Sequence, residues 1–266
     1  MDPRPIGIFD SGLGGLTAAK TLEEILPGEN LIYFGDSANA PYGTRSKPEL
    51  AALAAGCAGF LAGFGVKAVL VACGTVSSNA MDTLRSRFPL PFFDVLEPAC
   101  AEAAGLCPAG RIAVAATEAT VRSGAFQRSL ERLAPGAAVF SKACQSLVTL
   151  VEQGHFSPGD PAAEAAVHAE LEPIRAFAPD VLVLGCTHFP LLAETIRAEL
   201  GPEVKLLSVG EAAARALRAH LAAEGLLADR TEGERRWFTS GDPADFSAKA
   251  AQFLGHKIAA EHRSST

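Results

Sequence analysis

The 266-residue chain lacks most of the features that advertise a macromolecular partner. It has no run of lysine and arginine, and 23 basic side chains face 30 acidic ones, for a formal charge of −7. That balance argues against nucleic acid and against an anionic membrane as direct ligands. No apolar stretch approaches the ~18 residues that span a bilayer, so no membrane partner is expected. Six cysteines stand at 57, 73, 100, 107, 144 and 186 without a C-x-x-C pair, and Cys186-x-His188 alone lacks metal-ligand spacing, so no metal is expected. The glycine cluster Gly12-Leu13-Gly14-Gly15 lacks the third glycine of a dinucleotide fingerprint, Thr17 standing in its place. Asp10 just ahead of it would also repel a pyrophosphate. Low-complexity segments and linkers are absent too. Met1-Asp2-Pro3-Arg4 leads straight into an apolar stretch, which is read as no signal peptide and a cytoplasmic address. In a reducing compartment the cysteines are expected to be thiols.

What is present is a pair of matching segments. Val181-Leu182-Val183-Leu184-Gly185 reads as a buried strand, and Phe189-Pro190-Leu191-Leu192 as the start of a helix running to about Leu200. Between them sit Cys186, Thr187 and His188. A lone cysteine after a strand is most often a small core residue. Here a thiol, a hydroxyl and an imidazole crowd the C-terminal end of a strand, where open α/β sheets bind ligands. Ala68 to Cys73 repeats the pattern: apolar strand, small residue, thiol, with a helix expected from Ser77 to about Arg87. Upstream, Ile6–Gly12 and Arg111–Thr117 are both strands ending in polar residues. Two half-chains of similar order, each delivering one thiol, point to two α/β domains facing each other across a cleft. With 48% hydrophobic residues the chain has ample core for them.

Strand and helix alternate elsewhere. A helix is expected at Leu16–Leu26, a strand at Asn30–Phe34, a loop at Ala40–Ser46 and a helix from Pro48 to about Gly63. Pro89–Phe93 reads as a strand, with Asp94–Pro98 a crossing between domains. Ala143–Gly154 is an apolar segment carrying one carboxylate, Glu152, which taken alone is an ordinary solvated helix residue. Further helices are expected at Ala163 to about Ala178, Glu211 to about Glu224 and Ala244 to about Leu254, with strands at Val204–Ser208 and Arg235–Thr239. The tail after His256 is expected to fray. Cys57, Cys100, Cys107 and Cys144 read as packing residues.

Taken together, Phe9-Asp10-Ser11-Gly12-Leu13-Gly14-Gly15, Gly35-Asp36-Ser37 with Pro41-Tyr42-Gly43, Cys73-x-Thr75, Thr117-x-x-Thr120, Glu152, Gly185-Cys186-Thr187-His188-x-Pro190 and Thr239-x-Gly241-Asp242-Pro243 with Phe253-Leu254-Gly255 resemble the cofactor-independent glutamate racemases. The resemblance implies two flavodoxin-like parallel-sheet α/β domains in pseudo-symmetric arrangement. The first would comprise residues 1–96 with 208–266, the second residues 97–207, and the active site would lie in the cleft between them. It further implies conversion of L-glutamate to D-glutamate for peptidoglycan, with glutamate as small-molecule partner and neither pyridoxal nor metal as cofactor. A homodimer is compatible with it.

Inverting an α-carbon means removing a weakly acidic proton from one face and supplying one to the other, which calls for two acid/base groups. Thiols suit this, because a thiolate forms near neutrality after only a small pKa drop. By the family pattern Cys73 and Cys186 are those groups, Cys73 serving D-glutamate and Cys186 L-glutamate. Asp10 assists Cys73, while His188 and Glu152 assist Cys186. Asp10, Ser11, Pro41, Tyr42, Gly43, Gly74, Thr75, Thr117, Thr120, Thr187 and His188 would bind the substrate, the hydroxyls and backbone amides among them holding its carboxylates.

Two positions depart from the pattern. Gly74 stands where the family usually has Asn, which puts substrate affinity or identity in question, and an asparagine restored there is expected to lower the KM for glutamate. Gln145 stands where proline is common, and no chemistry is attached to it. Two other readings compete: a racemase of aspartate or another amino acid in the same superfamily, and a non-catalytic binding module. A superfamily decarboxylase needs one thiol, and a binding module would be expected to lose one; both thiols are present.

Overall fold

The computed structural model of the chain describes residues 1–264. The apolar runs become strands because both of their faces find a core. In β1 (Ile6–Asp10), Ile6 and Ile8 pack into one cluster while Phe9 packs into another on the opposite side of the sheet. Such two-sided burial is the condition under which parallel strands are stable. The first half continues with α1 (Leu16–Ile25), β2 (Leu31–Gly35), α2 (Lys47–Ala62), β3 (Ala68–Val71), α3 (Gly74–Asn79), α4 (Met81–Arg87) and β4 (Phe92–Asp94). The chain then runs through α5 (Leu96–Leu106), β5 (Arg111–Ala116), α6 (Glu118–Ser123), α7 (Ala125–Leu133), β6 (Ala138–Ala143) and α8 (Gln145–Glu152). Next come α9 (Pro161–Phe177), β7 (Val181–Leu184), α10 (Ala193–Leu200) and β8 (Lys205–Ser208). It closes with α11 (Val209–Ala223), β9 (Arg235–Thr239), α12 (Pro243–Leu254) and β10 (Ala260–His262).

The strands form two sheets, ordered β10-β9-β2-β1-β3-β4 and β6-β5-β7-β8, with every neighbouring pair parallel. Each sheet follows the same rule. Its first strand is central, its second lies to one side, and its third and fourth lie to the other. This is the doubly wound, flavodoxin-like order, and the strand order reverses between the first and third strands. The fold is therefore α/β with two parallel sheets, as expected. α11 packs against both α1 and α5, so it lies between the helical layers of the two halves.

Local signals account for many element ends. Glu49 accepts from the Ser46 N–H at 2.9 Å, closing a capping box on α2. Asp160 and Asp242 cap α9 and α12, each followed by proline. Two expectations need correction, and two segments gain detail. The helix placed at Ser77–Arg87 starts three residues earlier, directly after Cys73, and breaks into α3 and α4 at Ala80. Asp94–Pro98, expected as the crossing between domains, holds the start of α5: Asp94 Oδ1 accepts from the Leu96 and Glu97 N–H groups. Ala138–Ala143, a segment for which the sequence sets no expectation because Ser141 and Lys142 interrupt the apolar pattern, is strand β6 beside β5. The expected frayed tail contains β10, paired with β9 from Ala260 to His262; residues 265 and 266 lie outside the described ones. All six cysteines are buried free thiols. No helix among the described residues is long and apolar enough to cross a membrane.

One buried ion pair fastens the base of the larger sheet. Lys67 Nζ reaches Glu29 Oε2 at 2.6 Å and donates to the carbonyls of Asp2 (2.9 Å) and Leu226 (2.7 Å). Glu29 Oε1 accepts from the Ala228 N–H at 2.8 Å. The ammonium's three protons and both carboxylate oxygens are thus engaged, which is what makes a buried pair tolerable. Lys67→Met leaves Glu29 as a buried unpaired charge and is expected to destabilise the protein by about 3–5 kcal/mol in urea unfolding. Adding Glu29→Gln should recover part of that loss. Equal stability of Lys67→Met and parent would show the pair to be unimportant.

Candidate active site

The reversal point of each sheet delivers a polar pair. In the first half these are Asp10, the last residue of β1, and Cys73, two residues past β3. In the second they are Thr117, just past β5, and Cys186, two residues past β7. Both pairs open onto one enclosed cavity of about 20 Å³, lined also by Ser11, Tyr42, Gly43, Gly74, Thr75, Gln145, Val148, Gly185, Thr187 and His188. Wider depressions exist on the surface, among them one of about 420 Å³ beside α3, α4 and α7, but it contains no thiol. Chemistry rather than size singles out the smaller space.

On the first side, Asp10 Oδ2 accepts from the N–H groups of Gly12 (3.2 Å) and Gly15 (3.0 Å). Its Oδ1 is buried and has no hydrogen-bond partner among the described residues. Buried polar atoms are nearly always paired, so this unpaired carboxylate oxygen is an exception that marks the site. Burial pushes the Cys73 thiol far above its ordinary range, and the negative charge of Asp10 pushes in the same direction. The Val76 N–H and the Ser11 hydroxyl pull the thiol's pKa down, but they are outweighed. Cys73 is therefore a protonated thiol at neutral pH.

The second side is built differently. His188 Nδ1 lies 3.6 Å from Cys186 Sγ. His188 Nε2 lies 3.2 Å from Glu152 Oε1, within ion-pair reach but off the line of a good hydrogen bond. Burial alone would lower the imidazole's pKa; Cys186 and Glu152, with the charge of Asp10, outweigh it and push the group up to about 10. His188 is thus an imidazolium at neutral pH, placing positive charge beside a sulfur, the setting in which a thiolate can act as base. Glu152, an ordinary helix residue when taken alone and assigned to the Cys186 side by the family resemblance, is the last residue of α8 and faces that imidazole.

The glycines serve the approach of the two halves. A Cβ on Gly14 would lie 2.5 Å from His188 Nδ1. A Cβ on Gly74 would lie 2.5 Å from the Gly185 carbonyl oxygen, backbone of the opposite half. Hydrogen bonds then stitch the seam. Thr75 and Thr117 hydroxyls meet at 3.0 Å, Thr17 Oγ1 donates to the Thr187 carbonyl at 3.1 Å, and the Ala119 N–H donates to the Gly43 carbonyl at 3.0 Å.

The other expected residues divide. Ser11, Gly43, Gly74, Thr75, Thr117 and Thr187 line the cavity. Thr120 stands behind Thr117, whose hydroxyl donates to it at 2.9 Å. Tyr42 is on the wall, but its hydroxyl is committed to Asp36 Oδ2 at 2.5 Å. Pro41 is exposed and does not line the cavity. Gln145 and Val148, to which no chemistry had been attached, do line it. Their approach follows from strand β6, whose end aims α8 at the cleft; without that strand neither could be placed. No group of three or more His, Cys, Asp or Glu side chains among the described residues is arranged to hold a metal ion.

The model of the Asp/Glu/hydantoin racemase family matches residues 15–217. The chain belongs to that family. A glutamate racemase from Desulforudis audaxviator is 43% identical over 259 residues, covering 95% of this chain and 94% of that protein. Among solved structures, a glutamate racemase isoform from Bacillus anthracis superposes with a TM-score of 0.93 at 33% identity, covering 99% of this chain and 98% of the other. The Francisella tularensis glutamate racemase in complex with D-glutamate gives 0.91 at 34% identity, covering 100% and 99%. By contrast, the aspartate racemase of Picrophilus torridus, 16% identical with a TM-score of 0.58, shares the fold alone.

Two outcomes follow from this geometry. The His188 proton is held more tightly in the folded protein than in the unfolded chain. Its stabilising contribution is therefore complete below about pH 6.5 and is lost as pH rises towards about 10. In urea melts the stability difference between parent and His188→Gln should shrink across that window; a difference independent of pH would refute the assignment. The second concerns residue 74, where the structure reverses the expectation from sequence. A side chain there meets backbone across the seam, so both Gly74→Ala and Gly74→Asn should hold the halves apart. Overpacking of about 1–3 kcal/mol corresponds to a loss of about five-fold or more in kcat/KM. A lowered KM in Gly74→Asn would show that the seam accommodates the amide.

Proposed function

We propose that this protein racemises glutamate without a cofactor, using Cys73 and Cys186 as two acid/base groups on opposite faces of the α-carbon. The observation that carries the reading is the placement of one thiol at each reversal point of two facing sheets, both on one cavity. A single base would return the proton to the face it came from; facing bases allow inversion.

The electrostatics set a direction for each turnover. With L-glutamate bound, Cys186 takes the α-proton while the His188 imidazolium stabilises the sulfur, with Glu152 balancing the imidazolium. The electron pair left on the α-carbon is planar with the carboxylate and accepts the Cys73 proton on the far side. Cys73 is then a thiolate next to Asp10, an unfavourable neighbour that drives its reprotonation. The reverse turnover uses the same steps in the other order. Ser11, Thr75, Thr117 and Thr187, with the backbone N–H of Gly43, hold the carboxylates, and Asp10 Oδ1 is the acceptor facing the ammonium.

A space of about 20 Å³ admits little more than one water, so this arrangement is the closed state. Residues 1–96 with 208–266 and residues 97–207 act as the two domains, and the substrate enters when they separate. The aspartate alternative rests on likeness of fold alone. On this reading the enzyme is cytoplasmic and its D-glutamate feeds peptidoglycan synthesis.

The decisive test is facedness. In D₂O, Cys73→Ala should wash deuterium into L-glutamate but not into D-glutamate, and Cys186→Ala should do the reverse, while neither racemises. Exchange into both enantiomers by either single variant would mean that one base serves both faces, and the two-thiol scheme would fail.

A further inference from the structure

The cavity wall holds one polar side chain with no part in this scheme. Gln145, the first residue of α8, is half-buried and lines the space between the thiols. Its amide has a defined sense. The Glu118 N–H points to Oε1 at 3.4 Å, and only the oxygen of an amide accepts from an N–H. The NH₂ group is therefore turned the other way, and among the described residues it donates to no protein group. Gly43 makes room for it, since a Cβ there would run into the Gln145 amide.

The facing wall supplies no such donor. Residue 74 is glycine, and a side chain at that position would meet the Gly185 carbonyl 2.5 Å from its Cβ. The side-chain amide that residue 74 does not carry in the first half is thus available from the second. We propose that Gln145 is a specificity-determining substrate contact, donating from Nε2 to a carboxylate of bound glutamate. The proposal rests on the racemase reading and adds to it the residue that offsets the missing side chain at 74.

The test is steady-state kinetics of the full chain with L-glutamate, comparing parent, Gln145→Leu and Gln145→Glu. Gln145→Glu keeps the shape and the oxygen that accepts from Glu118, and exchanges only the NH₂ for a negative oxygen. A hydrogen bond to a charged group corresponds to about ten-fold or more in binding. KM should rise by about that factor in Gln145→Leu and by more in Gln145→Glu, with kcat changing far less. A parental KM in Gln145→Glu would overturn the proposal. So would a fall in kcat at unchanged KM, because that is the signature of a residue that merely starts the helix carrying Glu152. A parent that turns over no glutamate would overturn the racemase reading and this proposal together, whereas an active parent with indifferent variants would overturn this proposal alone.

Discussion

Everything in this molecule follows from the need to bring two strand ends, from separate sheets, within the thickness of one small molecule. Parallel sheets place their functional residues at the C-terminal edge, so a cavity shared by two sheets needs two such edges to point at each other. Side chains would ordinarily keep them apart. Here glycine at 14 and 74 removes the bulk at the points of nearest approach, where a Cβ would press on His188 and on the Gly185 carbonyl. Hydroxyl pairs such as Thr75 and Thr117 then join the buried polar edges of the two halves. The close fit is built from absence of side chain as much as from contact.

The two halves share a topology but not an electrostatic character. Asp10 stands beside Cys73, and carboxylate and burial both favour the neutral thiol. His188 stands beside Cys186 and Glu152 stands beside His188, so the second sulfur has an imidazolium for a neighbour. A duplicated fold with identical surroundings would leave the proton evenly placed between its thiols. On the two-thiol reading proposed above, the unequal neighbours would let a symmetrical scaffold begin each cycle in a defined state.

Much of this was legible because the relevant signals are local. The apolar strands before Cys73 and Cys186 are buried on both faces, and their runs of Val, Leu and Ala say so without knowledge of the fold. The glycine cluster after Asp10 could be separated from a nucleotide loop by Thr17 and by the aspartate itself. What escaped was set by tertiary surroundings. Strand β6 is half-exposed and carries Ser141 and Lys142, so its pattern is weak, and with it went the position of Gln145. The break at Ala80 has no proline or glycine to mark it. Gly74 looked like a deficit in a binding residue; only the carbonyl of Gly185 across the seam shows that it is also a fit.

The short strand at the end of the chain bears on how the protein meets its neighbours. β10 lies along β9, which is otherwise the outermost strand of the larger sheet. An uncovered edge offers a row of unpaired N–H and carbonyl groups on which another chain can template a strand. Residues Ala260 to His262 occupy that row, and the exposed charges of Glu261 and Arg263 make the new margin unattractive for further pairing. Three residues beyond the last helix thus act as a selvage, keeping an otherwise open sheet from unravelling into polymer.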